Sequence, residues 1–454
     1  MGNPEGRSRT DLKPASPPRE ARRAVVESAN MILSIIGAPG SGKSTQANVL
    51  GERLNLPVLE LGEELRMVAT KPTETGKKVS EYMKAGKLVP SAIIKRVFFD
   101  WVELNHVTTG FIIDGMPRRM HDIRLFHTKI LPELPLSMLP YIGVFELNIN
   151  LETALKRIGI RHLTTTDGRA DEATKTTRFR YGWYKRNRES IKKYYESLGK
   201  WTEIDGTPKA AKVQKVLDGK VAEQTEKQKD QLIMIVGAAG SGKDTQAMKL
   251  EPLGYQVFSS GTIYREEMEK HTPLGNFIRD RYMNAGKPVP NKYHFKMLEA
   301  HLDPLLNSGK KIVATGIVRK EAQAKWLDKH LASRGDLLSK IIYLEVPKED
   351  LIERLSLRRI CPKCGFNYHL KFIPPKKEGI CDKDGTKLIQ REDETPSAIR
   401  TRLKLQFYDV FEPVLKYYKE TNRLIVVDGK PMPEIVEKSV KKALIAENID
   451  ESSD

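Results

Sequence analysis

Two short apolar runs in this chain each end in a glycine-rich loop closed by a lysine, and the two lysines stand 200 positions apart. Met31 to Ile36 leads into Gly37-Ala-Pro-Gly-Ser-Gly-Lys43-Ser44-Thr45, and Leu232 to Val236 leads into Gly237-Ala-Ala-Gly-Ser-Gly-Lys243-Asp244-Thr245. If the recurrence reflects duplication, other landmarks must keep the spacing. They do to within three residues: Ala85-Gly86-Lys87 recurs as Ala285-Gly286-Lys287, Arg118 as Arg319, Arg157 as Arg354 and Arg161 as Arg358. Arg169 and Arg391 stand 222 apart, as do Arg180 and Arg402, so the second copy carries an insertion between Arg358 and Arg391. All three cysteines of the chain lie in it.

A strand followed by GxxxxGK and a helix binds phosphate. The glycines (Gly37, Gly40, Gly42; Gly237, Gly240, Gly242) let backbone N–H groups close around phosphate oxygens. Lysine (Lys43, Lys243) reaches the terminal phosphates, and the residues after it (Ser44, Thr45; Asp244, Thr245) open the helix. Short buried-type strands at Phe111–Asp114, Val144–Leu147, Ile312–Thr315 and Ile341–Val346 alternate with longer helical patterns, which predicts a parallel α/β sheet in each copy. The predicted fold is two P-loop domains, each a parallel sheet flanked by helices.

The organisation read from the sequence is a disordered basic tail over 1–30, a first domain over 31–217, a linker or solvated helix end over 218–231, a second domain over 232–446 and an acidic tail over 447–454. Pro4, Pro14, Pro17 and Pro18 and the lack of apolar periodicity mark the first tail. Its acids, Glu5, Asp11, Glu20 and Glu27, argue against a transit peptide, and Gly6 spoils a myristoylation pattern, so a cytoplasmic protein is expected. No apolar stretch is long enough to span a membrane. Three cysteines in 454 residues make a disulfide framework implausible.

The motifs together resemble the adenylate kinases and related nucleoside monophosphate kinases. Ile113-Asp114-Gly115-Met116-Pro117-Arg118 stands where that family has a DGFPR segment. Arg169-Ala-Asp171-Glu172 with Arg180, and Arg391-Glu-Asp393-Glu394 with Arg402, stand where it has an RxDD stretch and a later arginine. The resemblance implies ATP and AMP as partners, Mg²⁺ as cofactor, and in each copy a helical monophosphate-binding part (about Leu59 to Pro90 and Ser259 to Pro290) and a lid. It implies a cation set of Lys43, Arg66, Arg118, Arg157, Arg161, Arg169 and Arg180 in the first copy. The second set is Lys243, Arg265, Arg319, Arg354, Arg358, Arg391 and Arg402. Two polyanions must be brought together for phosphoryl transfer, so charge and alignment are what the protein has to supply. Those 14 cations account for most of the net charge of +18, which weakens a nucleic-acid reading.

Each copy departs from the family. The first has Leu61 where a Thr contacts the monophosphate base and Asp122 where a Gln pairs with adenine; Asp only accepts hydrogen bonds, so either this copy takes another monophosphate or Asp122 faces water. The second keeps Ser260 and Gln323, but Thr315 replaces the strand-end acid corresponding to Asp114. Asp244 then either takes over part of the Mg²⁺ role or weakens nucleotide binding.

Cys361-Pro-Lys-Cys364 and, 16 residues on, Cys381-Asp-Lys-Asp384 have structural-zinc spacing, each pair on a turn followed by glycine. His369 is the alternative fourth ligand to Asp384. The cluster also resembles the zinc-bearing lid of long-form adenylate kinases, here over 359–391; the first copy has only a short lid, His162 to Gly168. The expected protein is a monomeric tandem nucleoside monophosphate kinase. The alternative is a scaffold or nucleic-acid-associated protein with one or both kinase-like domains inactive.

Overall fold

The computed structural model describes residues 30–84, 89–164, 174–283, 289–390 and 396–445. The expected tails thus lie outside the described residues, except for Asn30. The first domain runs β1 (Met31–Gly37), α1 (Lys43–Leu54), β2 (Val58–Leu59), α2 (Leu61–Thr70), α3 (Glu74–Lys84), α4 (Ser91–Leu104), β3 (Gly110–Asp114), α5 (Met120–Leu125), β4 (Tyr141–Asn148), α6 (Leu151–Thr164), α7 (Thr174–Ser197), β5 (Trp201–Asp205) and α8 (Ala210–Gln228). The second runs β6 (Leu232–Val236), α9 (Lys243–Met248), β7 (Tyr255–Ser259), α10 (Ser260–Glu269), α11 (Pro273–Ile278), α12 (Asn291–Asn307), β8 (Lys311–Thr315), α13 (Glu321–Arg334), β9 (Leu338–Glu345), α14 (Lys348–Ser356), β10 (Arg358–Ile360), β11 (Asn367–His369), α15 (Pro396–Leu403), α16 (Asp409–Glu420), β12 (Leu424–Asp428) and α17 (Pro433–Ile445).

Among the described residues ten strands form two five-stranded parallel sheets, ordered β2-β3-β1-β4-β5 and β7-β8-β6-β9-β12, and β10 pairs with β11 antiparallel. The apolar runs of β1 and β6 are explained by this: each is central and covered on both faces. Ile32 and Ile36 face Phe98, Phe126 and Tyr195, while Leu33 and Ile35 face Leu50, Leu217 and Val221. In the second domain Met234 joins Leu302 and Leu327 on one face, and Ile235 joins Val436 and Val440 on the other. Chain order reverses at β1 and at β6, so both glycine loops open at a sheet switch point, above the carboxyl ends of the strands.

The stretch 218–231 is no free tether. Its first eleven residues complete α8, because Val221 is buried in the first domain's core and Gln228 Nε2 donates to Ile142 O at 3.0 Å. Gln231 Nε2 donates to Leu306 O at 2.7 Å, fixing the chain to the second domain as it enters β6.

The domains also meet through the end of α13. Ala332 joins the first domain's core cluster, and the His127 Nδ1–H donates to Ser333 O at 2.8 Å. Tyr141 N donates to Gly335 O at 3.0 Å. Gly335 has φ 77°, and a Cβ there would sit 2.7 Å from the Tyr141 Cβ, so only glycine allows this approach. Lys200, buried behind it, donates to Tyr141 O at 2.9 Å, Gln228 Oε1 at 2.8 Å and Gly335 O at 3.2 Å, and pairs with Asp336 at 3.0 Å.

Candidate nucleotide sites and lid

The two glycine loops are near-copies in space. Gly42 and Gly242 precede α1 and α9 in the left-handed region, with φ 87° and 89°, and turn the first helical N–H groups toward the space above the sheet. Lys43 and Lys243 open those helices, and neither side chain has a protein partner among the described residues.

In the first domain β3 delivers Asp114 to the same place. Ser44 Oγ donates to Asp114 Oδ2, while Asp114 Oδ1 is buried with no partner. A buried carboxylate oxygen left open beside a hydroxyl fits a divalent cation or its water shell. Arg118, in the turn after Asp114, donates from Nε to Gly115 O at 2.8 Å. A Cβ on Gly115 would lie 3.4 Å from both the Arg118 guanidinium and the Lys43 side chain, and one on Gly62 would lie 3.6 Å from Arg118 and 3.9 Å from Arg66. Withdrawal from water pulls the Lys43 ammonium below its usual range; Asp114 opposes this, and Arg118 and Arg180 add to it. The Arg118 guanidinium is lowered in the same way, first by desolvation and then by Arg180. Four cations thus crowd one cleft, and a polyanion in it would relieve their repulsion.

Asp122 does not face water. Its Oδ2 accepts from Arg118 N at 2.9 Å and its Oδ1 from Arg119 Nε at 3.0 Å, so both oxygens serve the turn that carries Arg118. Gln323 holds the matching position: Oε1 accepts from Arg319 N at 2.8 Å and Nε2 donates to Asn291 Oδ1 at 3.0 Å.

In the second domain Thr315 takes the strand position of Asp114, paired with Ile235 as Asp114 is with Ile35. Its Oγ1 is buried without a partner. Asp244, on the first turn of α9, is exposed and unpaired among the described residues. Ser260 Oγ donates to Gly316 O at 2.7 Å, and Arg265 and Arg319 lie nearby on α10 and on the turn after β8.

Arg157 is placed differently from the expectation. Its guanidinium donates to Gly206 O and Thr207 O, each at 2.8 Å, in the loop after β5; Arg354 likewise donates to Lys430 O at 2.7 Å in the loop after β12. Each guanidinium thus fastens the loop after the last strand of its own domain's sheet. Arg161 and Arg402 lie on α6 and α15, and Arg358 opens β10. Arg169 and Arg391 lie outside the described residues, as does most of the expected short lid.

Phe372 escaped the sequence reading. The Arg354 guanidinium lies over its ring, 5.5 Å from the centre, and His369 packs against the same ring at 4.6 Å with the planes tilted by 35°, so Phe372 joins the lid to the helix that carries Arg354. A lone Phe in a lysine-rich loop gives no signal in one dimension.

The sulfur site is assembled as two matching turns, with Gly365 N donating to Cys361 O at 3.0 Å and Gly385 N to Cys381 O at 2.9 Å. One ligand atom from each of Cys361, Cys364, Cys381 and Asp384 can be chosen so that all lie within 4.8 Å of one another, a donor set and size that fit tetrahedral zinc. Tyr368 OH donates to Cys381 Sγ at 3.5 Å and accepts from Asp382 N at 2.7 Å, orienting the second turn. His369 is not part of the cluster: its Nδ1 accepts from Lys371 N and Phe372 N, both at 3.1 Å. Apart from the ligands, this lid's apolar cluster consists of Tyr368, Leu388 and the partly buried Phe366.

Two parallel sheets with glycine loops at their switch points, and a cation-lined cleft above each, define a P-loop phosphotransferase. The model of the adenylate kinase family matches residues 35–200 and again 235–423. This chain belongs to the adenylate kinase family and is a phosphotransferase with nucleoside monophosphate kinase character. It is 39% identical over 217 residues to the adenylate kinase of Carboxydothermus hydrogenoformans, an alignment covering 47% of this chain and 98% of that protein. It is 39% identical over 199 residues to that of Mesoplasma florum (43% and 92%) and 34% identical over 220 residues to that of Caldanaerobacter subterraneus (48% and 98%). No helix among the described residues is long and apolar enough to cross a membrane.

Proposed function

We propose that the chain is a tandem enzyme of two catalytic domains, divided as the sequence reading has it except that 218–228 belongs to α8, and that it interconverts ATP plus AMP with two ADP. The observation that carries this is the convergence of Lys43, Arg118, Arg66 and Arg180 beside the Ser44–Asp114 pair. An oxygen of the AMP phosphate attacks the ATP γ-phosphorus, the bond to the ADP leaving oxygen breaks, and no general base is needed because the acceptor is already anionic. Lys43 and the loop N–H groups align the ATP phosphates, Arg66 and Arg118 hold the acceptor phosphate, and Arg180, with Arg161 and Arg169, balances charge spread over the transferring group. Arg157 fixes the loop bordering the ATP base. Gly37, Gly40, Gly42, Thr45 and their counterparts shape the cradles.

Ser44 and Asp114 would hold Mg²⁺, with the open Asp114 Oδ1 as its inner or water-mediated contact. When bound, the ion neutralises phosphate charge. In the second domain Asp244, at the position of Ser44, would take over part of the Mg²⁺ role, with Lys243, Arg265, Arg319, Arg358, Arg391 and Arg402 as cations and Arg354 over Phe372 bordering the base. Cys361, Cys364, Cys381 and Asp384 would hold a structural Zn²⁺. Asp122 does not argue against AMP in the first domain, since both its oxygens are occupied in shaping the Arg118 turn, as Gln323 Oε1 shapes that of Arg319.

The test is the initial rate of ADP formation from MgATP and AMP for the intact chain, Lys43→Ala and Lys243→Ala, with GMP, CMP and UMP as competing acceptors. Each variant should keep a substantial share of the rate, with AMP preferred. Abolition by one substitution would leave the other domain as a binding module. The Thr315 and Asp244 departures make the second domain the candidate for that role.

A further inference from the structure

The turn carrying Arg319 is pinned by three side chains from three directions: Ser260 on Gly316 O, Gln323 on Arg319 N, and His294, whose Nε2–H donates to Ile317 O at 2.8 Å. A carbonyl only accepts, so His294 Nδ1 is the lone-pair nitrogen and receives the Tyr264 hydroxyl proton at 2.8 Å. Tyr264 directly precedes Arg265 on α10. The relay Tyr264–His294–Ile317 therefore ties the residue beside one acceptor-side cation to the turn bearing the other.

The first domain fills the same space without polar groups. Leu61, Leu65, Ile94 and Met116 stand where the second has Ser260, Tyr264, His294 and Ile317, and all four pack into or against its core. Filling volume thus does not require the relay. An imidazole 7% exposed and a part-buried phenol add desolvation cost unless they satisfy each other. What a hydrogen-bonded relay adds over Leu and Ile is direction. Burial lowers the His294 pKa, the Ile317 carbonyl opposes this and Arg319 adds to it, which favours the neutral imidazole that the relay uses.

We propose that Tyr264 and His294 are positioning residues of the second domain's acceptor site, fixing Arg319 relative to Arg265 around the monophosphate. The proposal rests on the reading that this cleft accepts AMP.

The experiment uses the full chain with Lys43→Ala and Arg118→Ala to silence the first domain, and adds His294→Val, His294→Gln or Tyr264→Phe. Initial rates are measured with AMP and MgATP varied separately. His294→Val should raise KM for AMP about tenfold, with kcat and KM for ATP within about twofold. His294→Gln, whose Nε2–H can replace the ring Nε2–H toward Ile317 O, should recover most of the loss. Tyr264→Phe, which deletes one oxygen and folds even if the valine variant does not, should show a smaller rise of the same kind. An unchanged KM for AMP in His294→Val and Tyr264→Phe, failure of Gln to rescue, or parallel rises in both KM values would overturn the proposal. If the silenced parent makes no ADP, the kinase reading of this domain fails on its own. Calorimetric titration of the same chains with AMP then decides the relay: weakened binding rescued by Gln supports it, and unchanged binding overturns it.

Discussion

Replacing Lys200 with Met tests how the two domains are joined. The ammonium is 3% exposed and is shared among Tyr141 O, Gln228 Oε1, Gly335 O and Asp336, so one side chain binds β4, α8 and the loop after α13. Met matches its length and apolar stem but leaves three oxygens and a carboxylate 6% exposed without that donor. Removing one partner of a buried pair typically costs about 3–5 kcal/mol. Here Arg334 Nε still donates to Asp336 Oδ2 at 2.9 Å, which places the expected loss at the lower end, about 3 kcal/mol. Asp336→Asn keeps an oxygen that accepts from Lys200 and should cost less, about 1–2 kcal/mol. Because the carboxylate is no longer stranded, the double variant should lose about 1–2 kcal/mol less than the sum of the single losses. The assay is equilibrium urea unfolding followed by tryptophan fluorescence and circular dichroism, with the transitions fitted separately if they part. A Lys200→Met loss below about 1 kcal/mol, or strict additivity in the double variant, would show that the interface does not depend on this pair.

Three further outcomes are expected. Burial pushes His127 down to about 4 from 6.5, so the unfolded chain binds more protons between those values; stability should fall as pH drops from 6.5 to 4 and level off below. At about 1.4 kcal/mol per pH unit the total is on the order of 3 kcal/mol, and His127→Gln should flatten that part of the profile in urea titrations; an unchanged slope would refute it. The purified protein should carry one zinc by elemental analysis, and Cys364→Ser should lower zinc content and the melting temperature while leaving a Lys243→Ala background's rate unchanged; a zinc-free wild-type chain with the same melting temperature refutes the site. In a Lys43→Ala background, Asp244→Gly should reduce the rate by about tenfold or more, with a raised Mg²⁺ requirement; unchanged or tighter nucleotide binding with intact turnover would remove the compensation by Asp244.

The P-loops, the duplication, the central strands and the sulfur cluster were legible in one dimension because each depends on local spacing. A glycine at a left-handed φ, a lysine one residue later and a both-faces-buried strand are short-range requirements. Strand ends were less so: β4 begins at Tyr141 rather than Val144, since Gly143 and the interface tyrosine carry the pairing back beyond the run Val144–Leu147. Residues 218–228 read by composition as a linker or a solvated helix end; they are the end of α8, held by the buried Val221 and by the Gln228 hydrogen bond to Ile142 O although the helix is otherwise charged.

Sequence alone therefore determined that the chain is two phosphate-binding units with a thiol-bearing insertion in the second, because backbone conformation and ligand spacing are written locally. Tertiary structure decided where the long side chains point. Arg157 and Arg354 lie on loop carbonyls, Asp122 is turned onto the Arg118 amide, His369 is excluded from the sulfur cluster, and His294 is joined to Tyr264. A flexible cation or an amphoteric ring can satisfy many partners, and which one it meets is set by elements that come together only when the sheet closes.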